Sequence, residues 1–495
     1  MVCDKSSSGG FEDGFTSTKG SLPAEKENAC GSDEQSKASL KSCERRSETA
    51  GARENNSWEN SAGMEEKAKV NNNSGCNSSR DSSGRSKSCD STQTHKIRYM
   101  QTVGPAASEQ VNLRLGYPAP TDLPVDALKE AMRAKMEENN PEFYMYGIAP
   151  GFLEFREQLA KFLTEQYGYE VKSEDLMASN GSAGGLDIVC RIYTEPGDEI
   201  FIENPTYFLA YPTFRDYHLR PVAVDMEADG VNMQMFEDLL RKHKPKLFYT
   251  IPVAHNPTGR TTSAAKRKRL VELAVKHDFK IVADEVYQLL CFDGKDVPPS
   301  FSYFDSPEAP CVLSLGSFSK ILAPALRLGW IQAHPELLKP LMECGLIQSG
   351  GCLNPLMCGL VQKAIELEYL RKNICRNRKA LQSRCDSLKR ALLTYFPPNS
   401  ISFEDPVGGY FLLLKLPQGV TSLDLLREAE ARHRVSFLAG AQCGKGFERY
   451  VRLSFSYYSP SDIELGVKRL ADALSDLLQK RHPQQQEQPQ QQERR

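Results

Sequence analysis

The fold expected for this chain is α/β: a large domain on a mostly parallel central sheet, a smaller α+β domain after it, and disordered tails. Three observations predict it. Between about 96 and 481, short β-rich runs alternate with helical stretches, the pattern that buries a parallel sheet between helices. After about 350 the alternation gives way to a long helical stretch and then strands, an α+β order. The flanks, 1–95 and 482–495, carry almost none of the large apolar residues a core needs. A chain of 495 residues suits one large or two medium domains.

The elements follow in order. Residues 1–95 contain 20 Ser, with 13 basic against 15 acidic residues, so nothing there offsets the entropy of ordering. Those acids argue against an organelle transit peptide, which is Ser-rich but poor in acids. No secretory signal opens the chain, and no apolar run approaches the ~20 residues that span a bilayer, so a cytoplasmic location is expected. Leu128–Met136 and Leu153–Tyr167 repeat apolar residues at a spacing of three to four and predict helices. Strands are expected at Glu199–Ile202, Leu247–Val253, Lys280–Ala283, Val312–Leu315 and Gly329–Gln332. Helices such as Ala264–His277 and turns such as Glu195-Pro196-Gly197-Asp198 separate them. Beyond 350 come a long helical region, Cys358–Leu393, and β-rich stretches at Ile401–Leu416 and Val451–Tyr457. From His482 on, Pro, Gln and Glu make a solvated tail.

Charge and cysteine usage exclude two classes. With 62 basic and 64 acidic residues the net charge is −2, so the chain is not a globally basic nucleic-acid binder. Five of the 14 Cys lie in the first 95 residues; the other nine are scattered, without CxxC or Cys/His clustering. A structural zinc site needs such spacing, so free thiols and no metal are expected.

Four segments carry chemistry. In Ser317-Phe318-Ser319-Lys320, a lysine flanked by hydroxyls follows a strand, and Arg327 comes seven residues later. Such a lysine can condense with an aldehyde cofactor and later carry a proton, while hydroxyls and a guanidinium suit a phosphate. A loop lysine and arginine on the surface is the plainer alternative. In Lys280–Tyr287 the apolar run ends in Asp284, at the strand end where open α/β sheets bind ligands. That carboxylate can pair with a protonated ring nitrogen, with Tyr287 on the same side, or simply cap a helix. In Thr250–Gly259 a strand runs into an Asn-Pro turn that presents Asn256; His255 beside it reads as a packed or supporting residue rather than a catalyst. Ala178–Leu186 offers small residues and a helix start to an anion, but neither GxGxxG nor GxxxxGK[ST] is present.

In the order Gly/Ser loop, Asn-Pro turn, Asp…Tyr and Ser-x-Ser-Lys…Arg, these segments resemble the class I/II aminotransferases of the fold-type I pyridoxal-phosphate enzymes. The likeness covers about residues 100–478 and points to the 2-aminoadipate/kynurenine and multi-substrate branch. It implies an N-terminal arm at 96–130 packing with the small domain, a large cofactor-binding domain at 131–350 and a small domain at 351–481. It implies pyridoxal 5'-phosphate as cofactor. Lys320 would be the imine-forming lysine and proton shuttle, Asp284 the partner of the pyridine nitrogen, and Asn256 with Tyr287 the partners of the ring 3-oxygen. Ser182, Ala183, Ser317, Ser319 and Arg327 would hold the phosphate, and Tyr207 would stack on the ring. Arg452 would bind the substrate α-carboxylate, with Gly116 beside it. Tyr146 would reach the neighbouring subunit's phosphate and Asn354-Pro355 would lie in another cross-subunit segment, which implies a homodimer with shared sites. One departure is Ala183-Gly184-Gly185, where relatives often carry Gln after the loop serine; a backbone contact survives that change.

These roles imply transfer of an amino group from an L-amino acid to a 2-oxo acid, 2-oxoglutarate or pyruvate being the expected acceptors, with ping-pong kinetics. A β-lyase or ring-forming synthase on the same scaffold is the alternative. A transcription regulator would need an N-terminal winged helix, and 1–95 lacks both the apolar periodicity and the basic surplus for one. Neither nucleic acid nor a membrane is an expected partner.

Overall fold

The computed structural model describes residues 110–486. The N-terminal tail 1–95, the start of the arm and residues 487–495 lie outside the described residues. Two short strands, β1 (Val111–Asn112) and β12 (Val435–Ser436), pair in parallel near the chain's beginning and end. In chain order the others are β2 (Leu176–Ser179), β3 (Glu199–Asn204), β4 (Arg220–Glu227), β5 (Gly230–Val231), β6 (Leu247–Thr250), β7 (Lys280–Asp284), β8 (Val312–Ser317), β9 (Gly329–Gln332), β10 (Ser402–Phe403), β11 (Phe411–Lys415), β13 (Leu438–Ala439) and β14 (Tyr450–Ser454).

The large sheet has eight strands in the order β2-β9-β8-β7-β6-β3-β4-β5. Strands β8, β7, β6, β3 and β4 run parallel, and β9 is antiparallel to both of its neighbours. The expected mostly parallel sheet is therefore present. Strands β6, β8 and β9 are buried along their whole length, as befits a sheet covered on both faces. Alternate residues feed two cores. Phe201, Phe248, Ile281 and Val312 pack on one side with Leu270 and Ala274 of helix Ala264–His277. Ile202, Tyr249, Val282 and Leu313 pack on the other with Leu159 of helix Leu153–Tyr167 and Val189 of helix Gly181–Tyr193.

The sheet has a switch point. From β3 the chain winds outward to β4 and β5, and from β6 it winds the other way through β7 and β8. The crevice at the carboxyl ends of β3 and β6 is where such sheets bind ligands. A second, antiparallel sheet, β10-β11-β14-β13, carries helices Ser422–Arg432 and Pro460–Gln486.

Several boundaries differ from expectation. β6 stops at Thr250 instead of Val253, because Pro252 has no N–H to donate and the Ile251 N–H goes to the Glu203 carboxylate. The long helical region is two helices, Pro355–Glu366 and Tyr369–Tyr395, broken at Glu368 with φ 61°. Apolar periodicity runs on through that break, so the pattern hid it. The last helix continues through Gln486, past the expected tail start at 482 and in spite of Pro483, which has no N–H to add to it. β2 and β4 were not foreseen: the first is four residues long, the second half-exposed with Pro221 in it. Among the described residues no helix is long and apolar enough to cross a membrane, and the nine cysteines there form no disulfide.

Candidate active site

Strand ends assemble the site. β8 finishes at Ser317 and turns into the short helix Phe318–Ile321, which carries Lys320. The Lys320 amine donates to the Gly116 carbonyl at 2.7 Å and lies 5.5 Å from the centre of the Tyr410 ring. Asp284 ends β7, where its Oδ2 accepts from the Tyr249 hydroxyl at 2.9 Å. Its Oδ1 is buried and meets no donor in hydrogen-bond geometry, although the Ser182 hydroxyl is close enough to act on the carboxyl.

The electrostatics follow from burial. Burial pushes the Lys320 amine down to about 8, opposed by the Asp284 charge and helped by the Arg452 and Arg327 cations. Burial also pushes the Asp284 carboxyl up to about 6, against the Tyr249 and Ser182 hydroxyls and the Lys320 charge. The result is a partly neutral lysine beside a carboxylate with an unfilled acceptor. Such a pair can make an imine and hold a ring nitrogen.

An anion cradle lies beside it. Helix Gly181–Tyr193 starts just after β2, so the first-turn N–H groups of Ser182 and Ala183 have no intrahelical acceptor. Arg327 sits against that helix start: a Cβ on Gly181, whose φ is +75°, would lie 3.2 Å from Arg327 Nη2. The guanidinium donates to Ser319 Oγ at 3.3 Å and to the Asn180 carbonyl at 3.4 Å, and Ser317 Oγ accepts from the Ser319 N–H at 3.2 Å. Asn354 steadies the loop by donating to the Leu326 and Arg327 carbonyls at 2.8 and 2.9 Å.

A second arginine is buried opposite a carboxamide. Arg452, on β14, is 3% exposed. It donates to Asn256 Oδ1 at 2.9 Å and to the Arg114 carbonyl at 2.7 Å, while its Nε has no acceptor. The Phe411 ring lies under its guanidinium at 3.9 Å. A Cβ on Gly116 would come within 2.8 Å of that same ring, so glycine is needed there. Tyr287 is buried against Tyr410 and Phe411. Tyr207 is half-buried and near enough to act on Tyr249, Tyr287 and Arg452.

Every residue singled out in the sequence except Tyr146 therefore falls in this cluster or its walls. Tyr146 is 83% exposed and shares no hydrogen bond or ring contact with the cluster. Sequence reasoning missed Tyr249, Tyr410 and Phe411. Tyr249 hides in an apolar strand, and the Tyr410-Phe411 pair follows Gly408-Gly409, a weak signal at most. Of the two acids after β7, Glu285 faces away, binding Ser300 Oγ at 2.6 Å and the Phe301 N–H at 2.9 Å. His255 is fully buried beside Glu203, consistent with a supporting residue. The orphaned Asp284 Oδ1, the lysine and the arginine-lined helix start together fit an aldehyde-bearing aromatic phosphate.

Comparisons with known proteins agree with that chemistry. The family described as aminotransferase class I and II matches residues 109–470. An aromatic-amino-acid aminotransferase from Thermococcus litoralis is 33% identical over 380 residues, covering 75% of this chain and 90% of that protein. A 2-aminoadipate transaminase from Thermus thermophilus is 29% identical over 365 residues, 73% of this chain and 89% of that one. The crystal structure of a multiple substrate aminotransferase from Thermococcus profundus superposes with a TM-score of 0.70 at 30% identity, covering 76% and 93% of the two chains. The protein is a fold-type I transaminase whose cofactor is pyridoxal phosphate. It belongs to the class I and II aminotransferase family, and these relatives favour transamination over the lyase alternative.

Proposed function

We propose that Lys320 is the catalytic residue of a double-displacement transamination from an aromatic or 2-aminoadipate-like L-amino acid to 2-oxoglutarate or pyruvate. The donor class is suggested by the two relatives named for such substrates. The observation that carries the catalytic assignment is the place of Lys320 just beyond the end of β8, its amine on the Gly116 carbonyl at 2.7 Å and within the electrostatic reach of Asp284, Arg327 and Arg452.

When bound, the cofactor supplies an aldehyde that condenses with amines and a ring that draws electrons from the substrate Cα. The chain's own residues do the rest. Arg327, Ser317, Ser319 and the N–H groups of Ser182 and Ala183 hold the phosphate. The free Oδ1 of Asp284 accepts the ring N–H and, as a carboxylate, keeps that nitrogen protonated. Asn256 has its oxygen engaged by Arg452, which leaves its NH₂ to donate to the ring 3-oxygen together with the Tyr287 hydroxyl. Tyr207 covers the ring. Arg452, whose Nε has no acceptor, would hold the substrate carboxylate, beside Gly116. Lys320, once its amine is free, would take the proton from the substrate Cα and hold it for return.

A homodimer completes the reading. Tyr144, Met145, Tyr146, Ile148 and Leu153 form an exposed apolar stretch, which favours burial against a second copy. The Cys352 N–H donates to the Gly147 carbonyl at 3.0 Å, joining the Tyr146 loop to the Asn354 segment. Tyr146 is proposed to serve the partner's phosphate. Lys320→Ala tests the core of the reading: it should lose amine transfer by several orders of magnitude while still binding the cofactor, and wild-type-like turnover in that variant refutes it.

A further inference from the structure

Two strand ends at the switch point are joined by a buried pair that the mechanism above does not use. Glu203, near the end of β3, and His255, five residues beyond β6, are both fully buried. Glu203 Oε1 accepts from the Thr250 hydroxyl at 2.7 Å and Oε2 from the Ile251 N–H at 2.8 Å. His255 Nε2 lies 3.1 Å from the same Oε2, at an angle outside good hydrogen-bond geometry.

The other ring nitrogen decides the tautomer. Nδ1 faces the Thr258 N–H at 3.3 Å and the Thr258 hydroxyl at 2.9 Å. The backbone N–H can only donate, so it needs an acceptor at Nδ1, and the hydroxyl, which accepts the Arg260 N–H at 3.2 Å, keeps its own proton for the same nitrogen. Nδ1 is then an acceptor, and the ring proton sits on Nε2, aimed at Glu203. Around this ring the backbone closes a tight turn: the His255 N–H donates to the Arg260 carbonyl at 2.8 Å, and the Gly259 N–H to the His255 carbonyl at 2.7 Å.

Each member of the pair sits next to a residue of the site. Asn256, whose carboxamide meets Arg452, directly follows His255. Glu203 lies four residues before Tyr207. The Glu203 carboxylate takes donors from Thr250 and Ile251, and the His255 ring is a further polar group within reach of its Oε2 in a fully buried place.

We propose that Glu203 and His255 form a positioning clamp that sets the Asn256 carboxamide against the cofactor's ring oxygen and against Arg452. The clamp rests on the reading of Asn256 as a cofactor contact. His255 acts as a positioning residue, held through Nδ1 by the Thr258 N–H and hydroxyl and set by the close approach of Nε2 to Glu203 Oε2.

The test compares His255→Leu, which keeps bulk without polarity, with His255→Gln, which restores one donor and one acceptor. In each holoenzyme the cofactor dissociation constant, the pH midpoint of the cofactor's visible absorption band and the KM and kcat for the amino donor are measured. His255→Leu should weaken cofactor binding and raise KM by about tenfold each and move the band midpoint, with His255→Gln recovering most of both. Thr258→Val, which removes only the hydroxyl that fixes Nδ1, should shift the midpoint in the same direction, and it carries the test if His255→Leu does not fold. An unshifted midpoint with unchanged affinity in His255→Leu, or in Thr258→Val, overturns the clamp, as does equal damage in the Leu and Gln variants. Asn256→Ala separates the two readings: if it leaves the band and the affinity unchanged, the assignment of Asn256 itself fails; if it perturbs them while His255→Leu does not, only the clamp fails.

Discussion

Lys320 shows how a single residue's surroundings set its chemistry. An ordinary lysine amine at pKa ~10.4 is almost wholly protonated at neutral pH and cannot attack an aldehyde. Burial brings Lys320 down to about 8, so about a tenth of it is neutral at pH 7. The sign is clear: the reactive form is the deprotonated one, so it accumulates as pH rises through 8. Capture of pyridoxal phosphate by the cofactor-free protein should therefore speed up by about tenfold between pH 7 and pH 9 and then level off. Stopped-flow absorbance would measure it, and a rate still climbing steeply at pH 10 would mean that Lys320 titrates like a solvated amine. The motif Ser-x-Ser-Lys…Arg made Lys320 legible in the sequence. Its lowered pKa was not, because that comes first from burial and then from the Arg452 and Arg327 cations, against the opposing charge of Asp284, and only the fold sets all of these.

At the scale of the element, the phosphate cradle depends on how a strand hands over to a helix. Gly181 takes φ +75° as the first residue of its helix, with the Arg327 guanidinium close to where a Cβ would stand. Gly181→Ala places a Cβ in a conformation that L-residues disfavour and 3.2 Å from Arg327 Nη2. The variant should lose about 1–2 kcal/mol of stability and bind the cofactor more weakly. Thermal melts with and without pyridoxal phosphate would check this, with the cofactor-induced rise in Tm reduced. Element existence was readable where periodicity was strong, as at Leu153–Tyr167, whose limits agree with the structure. Element ends were not, because they are decided by partners. Ile251 leaves the ladder for Glu203, and Glu368 breaks a helix that its apolar spacing would continue.

The whole molecule raises the question of sharing. If Tyr146 serves a second copy, each site takes residues from two chains. Mixing Lys320→Ala subunits with Tyr146→Phe subunits should then restore turnover: in the hybrid, one site has an intact lysine from the second variant and an intact Tyr146 from the first. Each variant alone should be impaired, and a mixture no better than the sum of its parts would show that Tyr146 does not act across an interface. At this scale the sequence by itself determined the α/β class, the mostly parallel sheet and the identity of the residues from Ser182 to Arg452 that gather around the lysine. The class and the sheet follow from periodicity and turn residues, and Lys320, Asp284, Asn256 and Arg327 stood out through short motifs, whereas Ser182, Ala183, Tyr207 and Arg452 were picked out by the resemblance to the aminotransferase family. Only the tertiary structure decided that Tyr249 holds Asp284, that Phe411 underlies Arg452, and that Glu203 meets His255. These are contacts between residues 35 to 52 positions apart along the chain, brought together by strand order at the switch point and by the second sheet closing over it, and no local pattern encodes them.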